Sequence, residues 1–141
     1  MISGDKPAHN MPDYLFTYGT LMKGFDNPYA SVLQSASEYE GNGYFTGLLY
    51  LVSWYPGAVY SEGNSKVYGE IYRLSGQEKL LKQLDEYEDV FENETDSLYV
   101  RKIIPVVRTN AEVIHCWAYL YNQPVQELAL IPEGDFRNFS I

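Results

Sequence analysis

The chain has 141 residues, 45% of them hydrophobic, which is enough to close the core of one domain and argues against disorder. Its 19 acidic residues against 10 basic ones give a formal net charge of −9, a surface that repels phosphate backbones and offers anionic membranes no basic patch, so neither nucleic acid nor a membrane is expected as a partner. The single cysteine, Cys116, excludes an intrachain disulfide, and no apolar run is long enough to span a bilayer, so a cytoplasmic location is expected.

Residues 1–12 carry glycine, two prolines and little periodicity, and read as a flexible leader to one domain over residues 13–141. Residues 14–18 form a short β-rich run that stops at Gly19. Residues 28–37 place Tyr29, Val32, Leu33 and Ala36 at helical spacing. Residues 44–52 read as a strand, and glycines at 41, 43 and 47 predict bends or a bulge along it. A turn at residues 54–57 leads to a short extended piece, and residues 66–74 form the next strand.

Residues 75–87 give the clearest helix. Ser75 and Glu78 have capping-box spacing, and Leu80, Leu81, Leu84 and Tyr87 mark one face. The acidic stretch 85–96 reads as a solvated loop. Residues 98–107 and 113–121 alternate and form a hairpin, and residues 125–130 allow one turn of helix in the tail. Strands dominate, so the fold class is α+β, most simply a small mixed β-barrel or curled sheet with flanking helices.

Two features carry candidate chemistry. Glu88 lies four, seven and eight residues after Leu84, Leu81 and Leu80, so a persisting helix would turn its carboxylate toward apolar neighbours. Burial would raise its pKa toward neutrality and fit it to move protons in both directions. The competing reading ends the helix at Tyr87 and leaves Glu88 in solvent, and periodicity alone leans to that side. The run Tyr18, Gly19, Thr20, Leu21 follows a strand. It would let backbone N–H groups converge on an anion, or it is an ordinary tight turn. Tyr99 and Arg101 share a strand face and either line a pocket or form a surface pair. Cys116 alternates with Ile114, Ala118 and Leu120, as a core residue does. His9 and His115 lack ligand spacing and make no metal site, and no dinucleotide-binding or phosphate-loop glycine pattern appears, so neither a metal nor another cofactor is expected.

The segment Tyr14-Leu15-Phe16-Thr17-Tyr18-Gly19-Thr20-Leu21-Met22-Lys23-Gly24 resembles the opening of the γ-glutamylcyclotransferase-like family, which includes γ-glutamylamine cyclotransferases and plant avirulence-induced proteins. Later motifs follow in the family's order. Tyr55-Pro56-Gly57-Ala58-Val59 resembles its proline-glycine turn, and Val67-Tyr68-Gly69-Glu70-Ile71-Tyr72 its glycine-glutamate strand. Leu84-Asp85-Glu86-Tyr87-Glu88 is similar to the segment that holds the catalytic glutamate, with Asp89 standing where many members carry glycine. Tyr99-Val100-Arg101 and Ala118-Tyr119-Leu120-Tyr121 match the last two strands.

The resemblance implies a small mixed β-barrel with flanking helices and an enzyme that releases 5-oxoproline and a free amine from a small γ-glutamyl substrate. It implies Glu88 as general acid/base and a substrate cradle at Tyr18, Gly19, Thr20 and Leu21, with Tyr99 in the wall. The alternative is a non-catalytic small-molecule binding module on the same fold. The leaving amine and the oligomeric state are not legible in the sequence.

Overall fold

The computed structural model describes residues 13–25, 27–75, 77–87 and 97–138. In chain order the elements are β1 (Tyr14–Thr17), α1 (Pro28–Ser35), β2 (Ser37–Leu51), β3 (Pro56–Tyr60), β4 (Lys66–Leu74), α2 (Gln77–Tyr87), β5 (Tyr99–Arg108), β6 (Val113–Tyr121) and β7 (Ala129–Leu130), with a 3₁₀ turn at Phe136–Asn138. Strands β2, β4, β1, β6 and β5 lie side by side in that order, and β5 pairs back onto β2 to close a five-stranded barrel. The β1–β6 contact is parallel, with Leu15 opposite Trp117, and the other neighbours in the ring are antiparallel. The expected mixed β-barrel with flanking helices is therefore the fold. No helix among the described residues is long and apolar enough to cross a membrane.

The length of β2 makes closure possible. Its 15 residues extend roughly 50 Å, enough to serve the barrel with one half and a side sheet with the other. Residues 37–46 pair with β4, and residues 47–51 pair with β3. The register slips between Tyr39 and Gly41, where Gly41 adopts φ +112, so the predicted glycine bulge is present. Closure also needs Gly43, because a Cβ there would lie 2.7 Å from the Val107 carbonyl oxygen on β5. The strand starts at Ser37 rather than at 44, since cross-strand pairing to Leu74 and Arg73 captures its polar first half.

Three other boundaries differ from expectation. Helix α1 stops at Ser35 after starting from Asn27, whose side chain accepts the Ala30 N–H at 2.8 Å. Helix α2 begins at Gln77, two residues after Ser75, and continues through Asp85, so the acidic stretch does not begin as a loop. Residues 125–130 hold a single turn, Leu128 N–H to the Val125 carbonyl, and then pair as β7 with Tyr50 and Leu51. Pairing to the second edge of β2, opposite the one β3 occupies, outcompetes a short isolated helix. Helix start Ser75–Glu78 depends on a Glu78 side chain outside the described residues, and so does the apolar face at Tyr87.

Strand alternation divides the core into two layers. Phe16, Phe45, Val67, Ile71, Val106 and Cys116 fill the barrel interior. Leu15, Tyr72 and Tyr119 point outward and meet Leu33 of α1 and Leu80, Leu81 and Leu84 of α2. The helices therefore cover one outer flank, and the site lies where that flank ends.

Candidate active site

The chain leaves β1 at Thr17 and turns through residues 18–25. The Tyr18 ring packs into the barrel core against Phe45, and its hydroxyl donates to the Tyr119 carbonyl at 2.6 Å while accepting the Ala58 N–H at 3.1 Å. Tyr18 thus ties β1, β3 and β6 together at the barrel rim. The Gly19 carbonyl accepts the Met22 N–H at 3.1 Å, and the Thr20 carbonyl accepts from Asn27 Nδ2 at 2.8 Å. In a trans peptide the N–H points opposite to the preceding carbonyl, so these two bonds turn the Thr20 and Leu21 N–H groups to the other side.

Glu70 holds the far end of this turn. It is 4% exposed, and its Oε1 accepts the Lys23 N–H at 2.9 Å and the Tyr72 hydroxyl at 2.7 Å. Arg137 from the 3₁₀ turn stands 3.9 Å from Oε2. Two neutral donors and a nearby guanidinium are the compensation a buried carboxylate requires. Burial and the Glu70 contact together push the Tyr72 hydroxyl pKa well up.

A cavity of about 160 Å³ opens beside the turn. Tyr18, Gly19 and Thr20 form one side, Trp54, Tyr55 and Pro56 the other. Tyr99 and Tyr119 form part of the wall from β5 and β6. The Tyr99 hydroxyl donates to the Pro56 carbonyl and fixes the two walls to one another. Gly19 faces Pro56 closely enough that a Cβ would lie 3.1 Å from Cγ and 3.2 Å from Cδ. Its φ is not in the left-handed region, so glycine is needed here for space and not for conformation.

The cavity touches α2 through Tyr119. That hydroxyl donates to Asp85 Oδ1 at 2.6 Å, and Arg101 makes a two-pronged contact with Asp85, 2.9 Å from Nε and 3.1 Å from Nη2. Arg101 also lies 4.6 Å over the Trp117 ring. This network clamps the last turn of α2 to β5 and β6.

Of the residues expected at the site, Tyr18, Gly19, Thr20 and Tyr99 come together around one cavity. Leu21 does not line it, because its side chain is buried among the helix-facing core residues. Glu88 lies outside the described residues, directly after the end of α2 in the sequence. The Tyr18 and Tyr99 hydroxyls are engaged by main-chain groups, so both act as wall and brace. Asp85 is a correction: the sequence placed it in a solvated loop, whereas it is the half-buried anchor of α2. Arg101 pairs with Asp85 and does not line the cavity. Trp54, Tyr55 and Tyr119 were not singled out. The alternation of Trp117, Tyr119 and Tyr121 against Cys116, Ala118 and Leu120 would have revealed an aromatic outer face on β6.

No group of three or more metal-ligating side chains is assembled among the described residues. The Cys116 thiol is buried in the barrel, and burial pushes it up to about 12, which makes it a core residue and a poor nucleophile.

Known proteins share this sequence pattern and fold. Residues 15–138 match the family model described as gamma-glutamyl cyclotransferase, AIG2-like. The chain is 30% identical over 127 residues to the putative gamma-glutamylcyclotransferase MJ1514 of Methanocaldococcus jannaschii, a match covering 90% of this chain and 98% of that one. It is 31% identical over 123 residues to the gamma-glutamylcyclotransferase family protein YtfP of Escherichia coli K12, covering 86% of this chain and 94% of the relative. Among solved structures, an AIG2-like protein from Mus musculus superposes with a TM-score of 0.70 at 23% identity, covering 89% of this chain and 88% of the mouse chain. The solution structure of Escherichia coli YtfP superposes with a TM-score of 0.60 at 29% identity over 89% of this chain and 96% of that one. The chain belongs to the gamma-glutamyl cyclotransferase, AIG2-like family.

Proposed function

We propose that the protein is a cyclotransferase that converts a γ-glutamyl-amine to 5-oxoproline and a free amine, with Glu88 as its general acid/base. The observation that carries this reading is the cavity at the turn 18–20, the segment whose sequence heads the family match. The α-amine of the substrate attacks its own γ-carbonyl carbon. An N–C bond forms, a five-membered ring closes, and the bond from that carbon to the leaving nitrogen breaks. Nucleophile and electrophile belong to one molecule, so the protein's main task is to hold the folded conformer.

The α-ammonium must lose a proton before it can attack, and the departing amine must gain one. A single carboxylate near both nitrogens moves that proton from one to the other with no net change. Glu88 is assigned this role because Leu84-Asp85-Glu86-Tyr87-Glu88 is similar to the family segment that holds the catalytic glutamate, and the clamp of Asp85 to Arg101 and Tyr119 steadies the helix end that precedes it. The main-chain N–H groups of the turn where it lines the cavity, at Gly19 and Thr20, are assigned to the substrate carboxylate or the developing oxyanion. Tyr18 and Tyr99 supply rigid walls.

The test is 5-oxoproline release from a panel of γ-glutamyl-amines by the wild type and by Glu88→Gln. The expected result is release by the wild type and a loss of ~10²–10⁴-fold in a variant that keeps the wild-type circular dichroism. Undiminished release by the variant would remove Glu88 from its role. Absence of release by the wild type, together with measurable binding of the same amides, would favour a binding module.

A further inference from the structure

We infer that the amine half of the substrate is apolar and aromatic, and that Trp54 is the residue that selects it; the inference rests on the cyclotransferase reading above. Trp54 lines the cavity yet is 66% exposed. A large ring left in water at the mouth of a site is surface a ligand can cover. The ring is also held in place. It meets Tyr55 edge-to-face, with centroids 5.0 Å apart at 82°, and Tyr55 lies 6.5 Å from Tyr99 deeper in the wall. The Val52 and Ser53 N–H groups both donate to the Tyr55 carbonyl, at 3.0 and 3.2 Å, which closes the turn that presents the indole. The mouth is therefore preorganised, and a ligand loses little entropy in ordering it.

The described wall beyond Trp54 is rich in tyrosine. The hydroxyls of Tyr18, Tyr99 and Tyr119 all donate to protein groups on the scaffold, namely the Tyr119 carbonyl, the Pro56 carbonyl and Asp85. The remaining described lining adds Phe16, Leu98 and Pro56 with two threonines and Gly19, and none of these carries a charge. A carboxylate in the amine half would be desolvated against these walls and repelled by a chain of net charge −9. A second ammonium finds no carboxylate to pair with among the described lining residues. A phenyl ring gains contact area from Trp54, Tyr55 and Leu98 with no polar group to compensate.

Matched amides separate these cases. The panel is γ-glutamyl-ethylamide, γ-glutamyl-phenethylamide, γ-glutamyl-phenylalanine, γ-glutamyl-butylamide and γ-glutamyl-putrescine, each assayed for 5-oxoproline with the wild type, Trp54→Ala and Trp54→Phe. The wild type should prefer the phenethylamide to the ethylamide by about tenfold in kcat/KM, mostly through KM. It should turn over γ-glutamyl-phenylalanine more slowly than the phenethylamide, and the putrescine amide more slowly than the butylamide. In Trp54→Ala the phenethyl-to-ethyl ratio should fall toward unity, and Trp54→Phe should restore most of it. A ratio near unity in the wild type, a ratio that survives in Trp54→Ala, or faster turnover of the putrescine or phenylalanine amide would overturn the inference while leaving the cyclotransferase reading standing. No 5-oxoproline from any of the five would overturn both.

Discussion

Glu70 and Asp85 each tie an element that borders the cavity to the barrel, Glu70 at the far end of the turn through neutral donors and Asp85 at the end of α2, across a half-open seam, through a guanidinium. Glu70 is almost fully buried and accepts a main-chain N–H and a tyrosine hydroxyl, with Arg137 only at 3.9 Å. Asp85 and Arg101 are each about a quarter exposed in their side chains and meet in two hydrogen bonds. The difference separates two ways of building a rigid site. The buried carboxylate is inexpensive to keep only while every donor remains, whereas the seam pair tolerates solvent and is screened by it.

Removing Glu70 should have the largest effect on stability. Glu70→Ala leaves the buried Tyr72 hydroxyl and the half-buried Lys23 N–H without this acceptor, which together cost about 3 kcal/mol. Urea unfolding of the variant would measure it, and Glu70→Gln should recover a large part because the amide oxygen can still accept. A loss below about 1 kcal/mol would mean that water replaces the carboxylate and that Glu70 is not the brace described here.

A titratable group inside the barrel gives the comparison a scale. Burial raises the Cys116 thiol from 9.0 to about 12, and the positive charge of Arg108 offsets this only in part. Between those pH values the unfolded thiol ionises while the folded one keeps its proton. The unfolded state then binds fewer protons, so the contribution of this group to stability is intact below pH 9 and is lost as pH rises toward 12. The slope is at most about 1.4 kcal/mol per pH unit. Unfolding free energies at pH 8.5, 9.5 and 10.5 should fall less steeply in Cys116→Ala than in the wild type. Parallel slopes would show that the thiol is not shielded as the packing indicates.

The seam should give a smaller effect and one that salt can tune. A double-mutant cycle of Asp85→Ala and Arg101→Ala should return a coupling of about 1.5 kcal/mol in low salt, discounted for partial exposure, and less than half of that in 1 M NaCl. The Glu70→Ala cost should not move with salt. If Glu88 acts at the end of α2, Asp85→Asn should also lower kcat about tenfold with little change in KM, because the last turn of the helix is positioned less firmly.

The barrel was readable because closure depends on local signals. Glycines at 41 and 43 marked the bulge and close approach in β2, and alternation marked β5 and β6. The turn at 18–20 and Tyr99 were readable only through motif resemblance, since a four-residue turn has no periodicity to identify it. Asp85 was misread because it is an acidic residue at the head of an acidic stretch, and its partners Arg101 and Tyr119 are 16 and 34 residues away. Pairing across that separation is set by the α2–β5 docking and leaves no local trace. Trp54 was legible only as part of a turn. Its place at the cavity mouth depends on β3 pairing with β2, which puts Pro56 opposite Leu51.

Gly19 offers the finest test of how the two walls meet. An alanine Cβ would sit 3.1 to 3.2 Å from Pro56 Cγ and Cδ, closer than ordinary contact by a few tenths of an ångström. Pro56 has little room to retreat. Its carbonyl is held by the Tyr99 hydroxyl, and the next residue, Gly57, already lies so near Tyr121 that its own Cβ would come within 2.8 Å of the ring. The proline ring can repucker, however, and Gly19 has no positive φ for alanine to strain. Gly19→Ala should therefore fold with a loss of only about 1 kcal/mol, the low end for overpacking. Its main consequence should fall on the cavity, where a few tenths of an ångström between the turn and Pro56 raise KM several-fold and leave kcat nearly unchanged. A kcat loss as large as that of Asp85→Asn would mean instead that the turn, and not the α2 seam, sets the geometry of the reacting groups.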